Sequence, residues 1–171
     1  MKKIAKLCSL ILVGALVLMM TACYPAVKTP SAEQQAKTAV VESIKQYREE
    51  KGLEPLKEVE NLSKAEQAWV AVFGKAQKTS LSSADTVEAY NAYTSLMDAE
   101  TAWAYDNAFG WTSLGGEDKL TAKYPATEAE LKAQIAKTGV FDNADCKAFG
   151  IATVTINGEV YWTATVYTPA E

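Results

Sequence analysis

Apolar residues are distributed along the chain in three ways, each predicting a different structure. Residues 7–20 are almost continuously apolar, after the basic start Met1-Lys2-Lys3 and before Met20-Thr21-Ala22-Cys23. From Ser31 to Gly139, apolar positions recur at intervals of three or four, the period of one helix face. Beyond Phe149 the chain is rich in Val, Ile, Thr, Tyr and Trp, which suits strands.

The helical stretch divides at its turn signals. Ser31-Ala32-Glu33-Gln34 has capping-box spacing, followed by Ala36, Val40, Ile44 and Tyr47 on one face and a stop at Gly52. Leu53-Glu54-Pro55-Leu56 reads as an irregular crossing. Ser63 and Glu66 repeat the capping-box spacing, and Leu62, Ala65, Trp69, Val72, Phe73 and Ala76 predict a second helix ending near Lys78. A third helical region starts near Ser83, with Val87, Tyr90, Met97 and Trp103 inward, and extends to around Phe109-Gly110. Residues 111–125 contain Gly115-Gly116 and lack a period, which predicts a loop. Thr127 and Glu130 open a fourth helix with Leu131 and Ile135 inward, ending at Gly139.

Asn157-Gly158 between residues 149–156 and 160–168 is a strong hairpin signal. A two-residue turn there sets Thr155 opposite Val160, Val154 opposite Tyr161 and Thr153 opposite Trp162. One face then carries Ile156, Val154, Ala152 and Tyr161, and the other Ile151, Val160, Trp162 and Ala164. Both faces are apolar, so both need cover. The expected fold class is α+β, about four helices packed on the two faces of a small antiparallel sheet that ends in the hairpin.

The first apolar run is short against the roughly 20 residues that span a bilayer. With its basic start and small residues before Cys23, it reads as a bacterial lipoprotein signal peptide over 1–22, in preference to an uncleaved anchor. Cys23 is then the lipidated first residue, residues 23–30 form a short tether, and 31–171 form one domain. The expected location is the bacterial cell membrane or envelope surface, extracytoplasmic, with the membrane as a partner through the lipid anchor.

Losing Lys2, Lys3 and Lys6 and no acid lowers the formal charge of −4 by three, to about −7. An acidic surface disfavours phosphate backbones, so nucleic acid is not an expected partner. Cys8 leaves with the signal and Cys23 is modified, leaving Cys146 alone and no disulfide in the domain. Lys147 favours a reactive thiolate at Cys146 and Asp145 opposes it, and a structural cysteine is the preferred reading. The chain has no histidine, which removes His-based triads and His-ligated zinc. Asn61-Leu62-Ser63 matches a glycosylation sequon, read as chance in a bacterial protein.

Tyr47-Arg48-Glu49-Glu50-Lys51-Gly52-Leu53-Glu54-Pro55-Leu56 resembles the "N..R...GL.PL" opening of the CAP superfamily, the cysteine-rich secretory and pathogenesis-related (SCP) domains. Leu62 to Ala68 is similar to the helix that follows it, Gly116-Glu117-Asp118 to the "GEN" motif, and Phe149-Gly150-Ile151-Ala152 with Val160-Tyr161-Trp162-Thr163 to the closing strands. The resemblance spans residues 35–167. It implies an α-β-α sandwich with a cleft of two histidines and two acids that holds a divalent metal. Only Glu117 carries over to that cleft. Both histidines are missing, Asp118 replaces the motif asparagine, and 134–142 is shorter than the corresponding family segment, so the member is degenerate.

The chemistry left is sparse. Glu117 and Asp118 in a Gly-rich loop could join another carboxylate as a cation site or acid/base pair, although adjacent loop acids are usually solvated. Asp142-Asn143-Ala144-Asp145 lacks calcium-loop spacing and reads as a turn. Among the aromatics, Trp69, Trp103 and Trp162 are expected in the core. Trp111 is the candidate exposed aromatic, forming a possible cleft with Glu117 and Asp118. No catalytic residue, metal or cofactor is assigned. The preferred function is a non-catalytic binding or interaction module for a lipid, envelope glycan or protein. The alternative is a cation-assisted envelope hydrolase using Glu117 with another carboxylate.

Overall fold

The computed structural model describes residues 29–97, 105–106 and 118–169. The chain divides into two compact units, Met1–Pro30 and Ser31–Glu171, and the elements below all belong to the second.

Ser31 caps helix α1 (Ala32–Glu50) in a reciprocal capping box with Gln34. Ala36, Val40, Ile44 and Tyr47 are its buried face, and Gly52 follows with a positive φ of 69°. The chain then forms strand β1 (Lys57–Glu58), absent from the sequence expectation, which pairs parallel to β3 (Ala148–Ile156). Helix α2 (Glu60–Ala76) starts directly from β1, its N-cap Val59 making no side-chain cap. Ser63 and Glu66, expected as a capping box, therefore lie inside α2 and are buried against the sheet. The pairing of Val59 N–H with Phe149 O extends the strand to the helix start and moves that start upstream.

Helix α3 (Ser83–Leu96) is shorter than the expected helix, and Tyr105–Asp106 is strand β2. Its buried residues are Ala89 and Tyr93, an i, i+4 pair. Val87 and Tyr90, expected inward, are 59% and 49% exposed. The buried face of α3 runs through Ala89 and Tyr93, which leaves Val87 and Tyr90 off that face. Trp103 lies outside the described residues. Helix α4 (Glu128–Thr138) has the expected Thr127–Glu130 capping box, Leu131 and Ile135 buried, and Gly139 in the left-handed conformation at its end. A 3-10 turn, Val140–Asp142, follows.

Strands β3 and β4 (Glu159–Pro169) pair antiparallel in the expected register, with Thr155 opposite Val160, Val154 opposite Tyr161 and Thr153 opposite Trp162. Asn157 and Gly158 both have positive φ, 49° and 81°, as a type I′ turn requires. Gln77, the left-handed C-cap of α2, holds this turn by accepting from Asn157 N at 2.7 Å. The sheet is mixed, in the order β1-β3-β4-β2, because β1 runs parallel to β3. The fold is α+β with helices on both faces. Phe149, Ile151, Trp162, Ala164 and Val166 pack on α1 and α4, whereas Ala152, Val154 and Ile156 pack on α2 and α3. Trp69 and Trp162 are core residues, and no helix among the described residues is long and apolar enough to cross a membrane.

Two features fix the layers. Gly150 lets α2 lie directly on β3, since a Cβ there would meet the Leu62 carbonyl carbon at 2.7 Å and its oxygen at 2.8 Å. On the other face Arg48 is fully buried. Its Nε donates to Glu54 O (2.6 Å), and Nη1 donates to Phe141 O (2.8 Å) and Asn143 O (2.9 Å).

Gly150→Ala is expected to lower stability by about 1–3 kcal/mol through overpacking against backbone. Gly74→Ala should cost less, because its obstacle is the Val154 side chain and the helix gains about 1 kcal/mol in propensity. Arg48→Met should cost at least about 3 kcal/mol, since several carbonyls lose their donors together. Urea denaturation midpoints check all three, and an unchanged midpoint for Arg48→Met would contradict the role given to that side chain.

Candidate functional site

Of the residues singled out in the sequence, Cys23, Trp111 and Glu117 lie outside the described residues. Asp118 is exposed, and the part of it that is used is the backbone: its carbonyl accepts from Leu81 N at 2.8 Å. Leu120 N donates to Thr79 O, so residues 118–120 strap the connection between α2 and α3. No cluster of three acids or cysteines suited to a metal occurs among the described residues. Asn143 forms a turn by accepting from Asp145 N, and Asp142 accepts from the Tyr47 hydroxyl at 2.7 Å. Cys146 is fully buried, and burial pushes its thiol pKa up against the lowering influence of Arg48. That environment suits a structural cysteine.

A buried polar cluster lies between the sheet and helices α2 and α3. Glu66 is 2% exposed, and its Oε1 accepts from Thr165 Oγ1 at 2.5 Å. The hydroxyls of Tyr93 on α3 and Tyr167 on β4 hydrogen-bond to each other. Thr163, on the same face of β4, has a buried Oγ1 with no hydrogen-bond partner among the described residues. Desolvation pushes the Glu66 carboxyl up to about 7, only partly opposed by Thr165. Burial, and then the proximity of Glu66, raise both tyrosines. The period of α2 places Ser63 and Glu66 on one face, and this was the available signal. Its resemblance to a capping box concealed their burial.

An open cleft of about 760 Å³ lies on the other side of the sheet, between residues 123–126 and α4. Helix α4 sends Leu131 and Ile135 to the core and presents Glu130, Ala133, Gln134 and Lys137, at helical spacing, to the cleft. Residues 122–124 reach this position by pairing with β4: Trp162 N donates to Ala122 O and Tyr124 N to Val160 O. Gln134 is fixed from both ends, accepting from Trp162 Nε1 (3.1 Å) and donating to Lys123 O (2.9 Å). Lys123 pairs with Glu159 at 2.8 Å, and this bond raises its pKa. Glu130 is held by Thr127 in the helix cap. Lys137 and the Tyr124 hydroxyl have no polar partner among the described residues. The sequence carried this cleft only as the polar face of an amphipathic helix.

No family model, curated protein or solved structure matches the chain in the three comparisons.

The Glu66 cluster makes stability depend on pH. In the unfolded chain this carboxyl titrates near 4.5, and in the folded chain at about 7. As pH rises the unfolded state releases the proton first. Stability is therefore complete below about 4.5, is lost progressively up to about 7 and then levels, a total of about 3 kcal/mol. Glu66→Gln keeps an acceptor for Thr165 without the titration, so it should flatten this decline. Urea midpoints for both proteins at about pH 5 and about pH 8 check it. Parallel declines in the two proteins would exclude Glu66 as the group responsible.

Proposed function

We propose that the chain is a bacterial lipoprotein, acylated at Cys23 and held extracytoplasmically at the envelope surface, whose domain is a non-catalytic binding or interaction module. The observation that carries the binding reading is the division of labour among the polar side chains. Arg48, Ser63 and Glu66 are buried in the fold. In the open cleft, the ionic groups of Lys123 and Glu130 already serve Glu159 and Thr127. A fixed amide, a phenol and an ammonium are left to face solvent, and these are groups that recognise a ligand. Layers of helix on both faces of the sheet agree with what the CAP resemblance implies, and support a degenerate CAP-like fold. Membrane tethering rests on the Lys-rich start, the short apolar run and Thr21-Ala22-Cys23.

Cys23→Ala should abolish acyl labelling of the full chain, and labelling that persists in the variant would rule out acylation at Cys23. In a thermal-shift screen of the full chain against phospholipid vesicles, cell-wall fragments and envelope protein extracts, at least one class should raise the melting temperature. If none does, the binding reading fails.

A further inference from the structure

We infer that the cleft between residues 123–126 and α4 binds a short carboxylate-bearing sugar chain, the carboxylate at Lys137 and a ring on Tyr124. This rests on the reading of the domain as a binding module and specifies its ligand.

The volume, about 760 Å³, falls within the roughly 300–1,000 Å³ of ligand pockets. Its walls are mixed: Pro125, Ala126 and Ala133 lie among Lys123, Glu130, Gln134, Lys137 and Glu159, so a long acyl chain would leave charged groups facing it. A sugar has apolar ring faces and polar edges, which suits such a mixture. Tyr124 is half-buried, presenting a ring together with its hydroxyl.

Gln134 supplies the polar recognition. An amide has two donor hydrogens and two acceptor lone pairs. Trp162 takes one lone pair and Lys123 O takes one hydrogen, so one donor and one acceptor remain, side by side and held in place. Neighbouring hydroxyls of a sugar complement such a pair, and because the amide is held from both ends it loses little freedom on binding.

Charge sets the last requirement. Lys123 is neutralised by Glu159, whereas Lys137 has no ion-pair partner among the described residues. The two ammoniums and two carboxylates lining the cleft balance, so with Lys123 taken by Glu159 one cation, Lys137, is left for a single carboxylate and none for the second charge of a phosphate. The ligand is therefore a carboxylate sugar in preference to a phosphorylated one.

The test is isothermal titration of the full chain in detergent micelles with glucuronosyl-xylobiose, a trisaccharide with one carboxylate, its methyl ester and the N-acetyl-triglycine peptide, which also has one carboxylate. The acid should bind saturably, and the ester at least tenfold more weakly. Lys137→Met should weaken acid binding at least tenfold and remove the difference between acid and ester, while leaving the unfolding midpoint unchanged. Tyr124→Leu should weaken acid and ester alike. Equal binding of acid and ester, peptide binding as tight as the acid, or no binding of the acid would each overturn the inference. If the acid fails while a vesicle or an envelope protein still stabilises the chain, only the sugar assignment falls. If nothing stabilises it, the binding reading falls as well.

Discussion

A guanidinium bonded to backbone carbonyls lies where three parts of this fold meet. Arg48 projects from the last turn of α1 and donates to carbonyls of the crossing into β1 and of the turn into β3. Burial lowers its pKa, and backbone dipoles take the place of water around the ion. The two segments it binds are those that bring β1 and β3 together, where Lys57 N donates to Lys147 O. The parallel edge of the sheet and the starting point of α2 both follow from this junction. A lysine, with a compact ammonium, could not reach carbonyls in this planar arrangement.

The opposite layer treats its buried ionisable group differently. Among the described residues Glu66 has a hydroxyl for a partner and no cation, so the protein holds it largely as the neutral acid below about neutral pH. Tyr93 and Tyr167 add polarity to the layer without adding a counter-charge. One face of the sheet thus carries a permanent charge held by backbone carbonyls. The other carries a titratable group whose ionisation opposes folding.

Gln134 joins the two scales of the structure, since its amide is both a core contact for the Trp162 indole and a wall of the open cleft. The cleft geometry is consequently set by the core, through a side chain held at both ends. That rigidity suits the ligand recognition proposed above.

Much of this was legible in the sequence. The Ser31–Gln34 and Thr127–Glu130 boxes, the face of α1, and the Asn157-Gly158 register are local signals: caps, periods and turn geometry act within a few residues. The two apolar faces of the hairpin were sufficient to require helices on both sides. Tertiary structure decided what local patterns leave ambiguous. Ser63 and Glu66 have the spacing of a cap whether they begin a helix or face a sheet, and only the pairing of β1 with β3 chose between them. The same holds for the exposure of Val87 and Tyr90, because packing chose Ala89 and Tyr93 as the buried face of α3. Of the candidate cleft anticipated from the sequence only Asp118 falls among the described residues, and it contributes backbone. The cleft that the structure presents joins residues 123–126 to α4 through Gln134 and the distant Trp162. Hydrogen bonds across that separation have no period or spacing in the sequence, because they exist only once the chain has folded.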